Sequence, residues 1–484
     1  MSQAGVASRF GSARWKAGAA CLASALPLAA ALRGFTVDDA FVTARVASRL
    51  SLGEGYRFNA AGPEVDAVTP LGFAHLLAVA GPGSPLVMLE RARWVGLLAW
   101  LAAALVLGLL LPPKQRALAT ALPLVAVSAP LAAWASSGME TGLVTLATTF
   151  ALFGGPAGAL AAGLAAAWRP ELLVFAVVLA GGGALLGAPS LAGRARRLAI
   201  ELGLAAGPAL AVALVRQGWF GTAAPLAVLA KPSDLTHGAA YALSGFVLAG
   251  APLLLLAPRG LRAADLRTRL LAVAVIAHFA AIAAAGGDWM ALFRLVVPVL
   301  PACILAGARL ADDSTSGWRW VRLGAALIAS LGLLGWRGLP ARSVLPHRLE
   351  LIRRAEPVLR DARSIAALDI GWVGAATNAR ILDLAGITDP MVARLPGGHT
   401  SKRVSAGLIE NRDVDTFVLL LAPRAAAATP WNASIFTRVV ENRLAELPLL
   451  EDLHPRATLP LGGTEQLYLV LERPAGRRGS GAFP

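Results

Sequence analysis

The chain has 484 residues, 56% of them hydrophobic and only 15% charged, with 44 Lys and Arg against 29 Asp and Glu for a formal net charge of +15. That balance excludes a single large soluble domain, because many apolar runs approach the length needed to cross a bilayer. The charge distribution excludes a nucleic-acid footprint: from Arg342 onward there are 18 basic and 15 acidic residues, before it 26 and 14, and the surplus sits in short loops such as Arg194, Arg196 and Arg197 or Arg259, Arg262, Arg267 and Arg269, a positive-inside pattern.

Residues 1–16 carry Arg9, Arg14 and Lys16 and no acid, and residues 17–33 are almost wholly apolar, which predicts a cytoplasmic start and an outward crossing. A cleaved signal peptide, with LPLAAALRG as the small-residue region, is the alternative. The stretch 35–70 then brings adjacent carboxylates, Asp38 and Asp39, to the mouth of that helix. Further apolar segments follow at about 69–81, 94–112, 117–134, 142–154, 156–168, 170–188, 198–215, 241–257, 269–285, 294–311 and 320–337, twelve candidates with the first. Basic loops inside and a tail outside require an odd number of crossings. Eleven results if 69–81 fails to cross, since about 13 residues at ~1.5 Å each fall short of a ~30 Å hydrocarbon core.

Trp134, Trp168, Trp219, Trp289, Trp318, Trp320 and Trp336 mark segment ends, as headgroup-level anchors do. The Gly203/Gly207 pair and the Gly181–Gly183 triplet, inside apolar runs, predict close helix packing. Cys21 and Cys303 lie in apolar runs and suggest neither disulfide nor thiolate metal site. The six histidines, at 75, 237, 278, 347, 399 and 454, lack metal-ligand spacing, and His278 within a span reads as a packing residue.

From about 340, RSIAALDIGWVG, RILDLAG, DTFVLLLAP and EQLYLVLE read as strands, and LELIRRAEPVLRDA and NASIFTRVVENRLAEL as amphipathic helices. The expected fold is therefore an α-helical polytopic membrane protein with about 11 transmembrane helices over 1–338, a C-terminal α/β soluble domain over 339–472 on the outer side, and a disordered tail over 473–484. Asn432-Ala433-Ser434 matches a glycosylation sequon, read as chance.

A carboxylate pair beside a membrane helix costs desolvation energy unless water, a cation or a polar substrate is present. The plain alternative is that Asp38 or Asp39 caps AFVTARVASRLSLG, an amphipathic helix with Arg45 and Arg49 four apart. On the expected topology Glu140, Arg169, Glu171, Lys231, Asp288 and Arg294 project to the same side as the pair. Singly they read as helix-end charges, a snorkelling arginine and a surface pair. Together they suit an amphipathic substrate with a phosphate, sugar hydroxyls and an apolar tail. A carboxylate can deprotonate an acceptor hydroxyl while Arg or Lys stabilises a departing phosphate.

At these residues the sequence resembles a family of bacterial GT-C glycosyltransferases that includes the mycobacterial arabinofuranosyltransferases. The resemblance runs in order through DDAFVTARVASRL, GEGYRFN, PEVDAVTPLGF, SSGMET, RPE, WFGTAAPLAVLAK and GGDWMALFRLVVPVLP, then DIGWVG, RILDLAGITDPMVAR and GGHTSKR. It implies a GT-C fold, a polyprenyl-phosphate sugar donor, a pentofuranose such as arabinofuranose as a candidate sugar, inversion at the anomeric carbon, and a glycan, glycolipid or protein acceptor on the periplasmic side of the inner membrane. It implies the catalytic base at Asp38 or Asp39, with Glu140, Arg169, Glu171, Lys231, Asp288, Arg294 and His399 as donor- or acceptor-binding candidates. Departures are Val68, Phe73, Ala375 and Ala376, where the family carries other residues, and a Pro-Asn-Thr element reduced to Pro225, and they leave the sugar unassigned. The carboxylate pair could hold Mg²⁺ or Mn²⁺ with waters. The competing classes are a secondary transporter or lipid-sugar flippase, which predicts repeated halves and mid-membrane charges, and a non-catalytic envelope assembly protein.

Overall fold

The computed structural model describes residues 11–60, 62–187, 190–312, 317–422, 435–448 and 453–474. Arg9, the Asn432 sequon and residues 475–484 of the expected tail lie outside the described residues.

The apolar segments fall on helices. Among the described residues four helical stretches are long and apolar enough to cross a membrane: Pro85–Leu110, Leu191–Phe220, Leu266–Ala284 and Trp318–Leu359. A fifth results if Gln115–Val127 and Ala129–Ala135, bent by 54°, count as one span. The bend sits at Ser128, just before Pro130, whose ring cannot continue the hydrogen-bond ladder of the preceding turn. Shorter apolar helices are Thr141–Ala151, Pro170–Leu186, Leu235–Leu248 and Val297–Ala311. The 69–81 segment is helical only over Phe73–Ala78. The first helix, Ser12–Ala31, carries Arg14 and Lys16 in its opening turns and is uncharged from Ala17 onward. The chain is thus a mostly helical protein with several helices of membrane-crossing length and apolarity.

The chain forms two compact units. One comprises Met1–Thr36, Ala92–Leu214 and Ser233–Arg342; the other comprises Val37–Arg91, Val215–Pro232 and Ser343–Pro484.

In the first unit glycine allows helix backbones to touch. A Cβ at Gly142 would meet the Gly96 carbonyl oxygen at 2.3 Å, and one at Gly163 would meet the Leu204 carbonyl oxygen at 2.2 Å. Packing at Gly203 and Gly207, expected from their spacing, is not found: a Cβ at either would have nothing within 4 Å. The Leu191–Phe220 helix is approached at Leu204 and Ala205 instead, on a different face.

The second unit contains a five-stranded sheet of order β2-β1-β3-β5-β4, with β1 Ser364–Ala367, β2 Arg380–Asp383, β3 Thr416–Leu420, β4 His454–Pro460 and β5 Leu467–Glu472. β1 pairs in parallel with β2 and β3, while β5 runs antiparallel to β3 and β4. Fully buried β1 and β3 read as continuous apolar runs, as strands covered on both faces do. Phe417, Leu419, Leu469 and Leu471 anchor the core with Val440 and Leu444 of the Val439–Ala445 helix. Two sequence expectations are corrected. DIGWVG does not extend β1: Ile370–Ala376 is the crossover helix between β1 and β2. HPRATLP, not anticipated, is the edge strand β4, mostly exposed and bounded by prolines, so it carries no apolar signature.

Candidate functional site

The second unit holds the carboxylate pair. Asp38 and Asp39 open the Asp38–Ser51 helix, whose N-cap is Val37 and has no side-chain cap, so neither performs the capping role expected within its own helix. Asp38 caps a different helix. Its Oδ2 accepts from the Gly371 N–H at 2.7 Å and its Oδ1 from the Trp372 N–H at 3.0 Å, at the start of Ile370–Ala376. Gly371 is required there, because a Cβ would meet the Asp38 carbonyl oxygen at 2.1 Å.

Arg45, two turns on, holds the other end. Its guanidinium is buried and donates to the carbonyls of Gly374 at 2.8 Å, Thr377 at 3.0 Å, Ala379 at 2.9 Å and Phe58 at 2.9 Å. Seven residues separate Asp38 from Arg45, a rise of ~10.5 Å, which matches the length of the seven-residue partner helix. A carboxylate at the N-terminus and a guanidinium at the C-terminus also complement that helix's dipole.

Around this clamp lies a network the sequence did not single out. Asp369 accepts from Arg438 at 2.5 Å and from the Tyr468 hydroxyl, Arg348 reaches that hydroxyl at 3.3 Å, and the Tyr468 ring lies 4.8 Å from Trp372. Burial and then the negative charge of Asp369 push the Asp38 carboxyl up to about 7, although Arg348 and the two backbone N–H groups oppose the shift. Asp369 is shifted downward: burial alone would raise it, but Arg438, Arg348 and the hydrogen bonds to its carboxylate outweigh that.

The tail motifs resolve into locally bonded loops. Asp383 is fully buried and accepts from the Ala385 and Thr388 N–H groups at 2.8 and 2.6 Å; burial pushes it up to about 6. Asp389 caps Pro390–Ala393. Lys402, buried, donates to the carbonyls of Ala393 and Leu395, and burial lowers its pKa. His399 is half-buried in the turn that begins at Gly397, whose φ is +106°. Lys231 is half-buried directly after Leu226–Ala230, whose Leu226 and Ala230 pack on Ala393. Sequence reading also missed the buried ion pair Arg216–Asp66 at 2.8 Å, and the aromatic group in which Tyr56 stacks on His75 at 5.3 Å and Trp219 on Phe220 at 4.8 Å.

The first unit brings together Glu140, Arg169 and Glu171, with Arg169 2.5 Å from Glu140 and 3.9 Å from Glu171. Asp288 pairs with Arg294 at 2.7 Å. Arg169, Asp288 and Arg294 all lie within electrostatic reach of the buried Tyr241 hydroxyl, which makes one charged cluster of the two groups. His278 supports it: its ring nitrogens face the Glu171 carbonyl at 3.2 Å and the Leu295 carbonyl at 2.9 Å. The Trp134 indole N–H donates to Leu292 at 3.0 Å and its ring lies 5.9 Å from the Arg294 guanidinium. Leu292 and Phe293 have positive φ, 61° and 53°, so the segment that presents Arg294 is locally strained. Asp38, Asp39, Lys231 and His399 belong to the second unit and the other five candidates to the first.

A divalent cation does not fit the pair well, because both Asp38 oxygens face N–H donors. Among the described residues no three His, Cys, Asp or Glu side chains form a metal-holding group.

Residues 348–464 match a family described as a domain of unknown function, DUF8728. No curated protein matches the chain.

Proposed function

We propose that the protein is a GT-C type membrane glycosyltransferase with about 11 crossings, its N-terminus cytoplasmic and the sheet domain periplasmic, that moves a sugar from a polyprenyl-phosphate donor to an envelope glycan, glycolipid or protein. The observation that carries this reading is the buried cluster of Glu140, Arg169, Glu171, Asp288 and Arg294, drawn from separate stretches of a mostly apolar unit. Charges at helix ends in an apolar setting suit a phosphate attached to a hydrocarbon chain. Arg294 and Arg169 are assigned to the donor phosphate. Asp39 is assigned as base, and Asp38, whose oxygens are engaged by backbone N–H groups, as the residue that positions the helix carrying it. In the reaction the acceptor oxygen bonds to the anomeric carbon and loses its proton to the carboxylate. The bond from that carbon to the phosphate oxygen breaks, its electron pair leaving with the phosphate.

The test is mass spectrometry of envelope glycans and polyprenyl-phosphate sugars in cells lacking the protein or carrying Asp39→Asn. One sugar lost and its lipid donor accumulated is the expected result, with transfer reduced about 10²–10⁴-fold in the variant. Unchanged glycans in the deletion strain would favour the transporter or assembly reading.

A further inference from the structure

The first unit contains a cavity of about 190 Å³ remote from the charged cluster. It is lined where Thr141–Ala151 ends, where Gly155–Trp168 begins, where Leu173–Leu186 ends and where Leu266–Ala284 begins. Glu140, Arg169, Glu171 and Asp288 lie at the opposite ends of these same four helices. Helices of 11 to 19 residues place cavity and cluster roughly 16–28 Å apart.

Three arginines and one glutamate face the cavity: Arg197, Arg267, Arg309 and Glu201. Glu201 is buried and is held by Arg197 at 3.0 Å, so that pair is internally neutral. The Arg267 and Arg309 guanidinium groups make no hydrogen bond or close ion pair among the described residues, although Asp265, which accepts from the Arg267 backbone N–H, lies within electrostatic reach of Arg309. The remainder of the lining is apolar, and Phe153 and Leu186 at its rim are exposed, 38% and 43%. Two arginines against one nearby carboxylate, Asp265, in a recess otherwise lined by apolar residues at the ends of membrane-length helices, describe a receptor for a phosphate that carries hydrocarbon.

We propose that this cavity binds the phosphodiester headgroup of an anionic membrane lipid, with Arg267 and Arg309 on the phosphate and the acyl chains leaving past Phe153 and Leu186. The proposal rests on the bilayer reading of these helices and is independent of sugar transfer. Arg194, Arg196 and Arg197 in the opening turns of Leu191–Phe220 and the basic residues of 259–269 flank the site, and on the proposed topology this end faces the cytoplasm, where anionic headgroups are abundant.

The experiment is native mass spectrometry of the full chain released from nanodiscs of equal phosphatidylglycerol and phosphatidylcholine. One phosphatidylglycerol is expected to be retained in preference to phosphatidylcholine. Arg267→Ala, at an exposed side chain, and Arg309→Ala should each lower its retention about 5-fold. Gly183→Leu should block it by filling the cavity, since a Cβ there meets only Glu201 Oε2 at 3.9 Å. Asp39→Asn should retain the lipid as the parent protein does, whatever its effect on transfer. Equal retention of both lipids, or unchanged retention in all three cavity variants, overturns the proposal. Inorganic phosphate that raises the melting temperature as much as phosphatidylglycerol does would also overturn it, by showing a site for the free anion.

Discussion

Two sets of buried charge, one in each unit, are bonded in opposite ways. In the second unit, Asp38, Arg45 and Lys402 bond to main-chain groups and Asp383 to main-chain N–H groups and the Thr388 hydroxyl, beside the side-chain pairs Arg216–Asp66 and Arg438–Asp369. In the first, Glu140, Arg169, Glu171, Asp288 and Arg294 form ion pairs with one another. A charge bonded to backbone fixes the course of the chain and cannot be released without unfolding it. A charge paired with a side chain can exchange its partner for a ligand at modest cost. Between these two sets of residues the contrast distinguishes charges that fix the chain from charges that can exchange partners.

Three substitutions sharpen or break that contrast. The largest effect is expected at Arg45: Arg45→Met leaves four carbonyls without their donor and should destabilise the second unit by about 3 kcal/mol or more. Thermal unfolding followed by tryptophan fluorescence checks this, because Trp372 is fully buried beside the clamp. A loss under ~1 kcal/mol would show that the clamp is incidental.

Next is Asp38. Its folded pKa of about 7 lies above the ordinary carboxylate value near 4, so the folded protein holds a proton that the unfolded chain releases between those limits. The contribution of this group to stability is therefore fully present below pH ~4 and is lost as pH rises through ~7, by at most about 1.4 kcal/mol per unit. Asp383 and Glu441 are raised by burial and shift stability in the same sense, so Asp38→Asn should flatten the slope of melting temperature between pH 5 and 8 without abolishing it. An unchanged slope would remove Asp38 from the account.

The smallest change in stability is expected in the first unit. Glu140→Gln leaves Arg169 with Glu171 still 3.9 Å away, so the loss should stay below about 2 kcal/mol, less than the ~3–5 typical of breaking an isolated buried pair. Apparent donor KM should nonetheless rise at least 5-fold. If stability collapses while KM is unmoved, the first-unit pairs are scaffold too and the contrast fails.

Hydropathy made the helices legible, because apolar segments such as 94–112 and 269–285 fall on Pro85–Leu110 and Leu266–Ala284. The same signal misled at DIGWVG, a short apolar run that a strand or a buried helix turn would carry equally well, and it was silent at β4. The grouping of Glu140, Arg169 and Glu171 was legible because each sits at the end of an apolar segment. Arg45 was not: on its own helix it reads as one more solvated arginine, and nothing in 38–51 announces carbonyls contributed by residues 374–379. Asp38 was legible as special, but for a chemical reason, while its observed bonds are architectural.

The helix clamp also bears on biogenesis. Asp38 and Gly371 are 333 positions apart, so the helix that opens near residue 38 leaves the ribosome long before the segment it grips. At roughly 5–20 residues per second that interval is about 15–70 s. Throughout it Arg45 is without three of its four carbonyl acceptors, those of Gly374, Thr377 and Ala379, and the seat for residues 370–376 is open. A nascent chain truncated before β1 would therefore expose this basic and apolar surface, of the kind on which chaperones act, and completion of the C-terminal sheet would be the event that hides it.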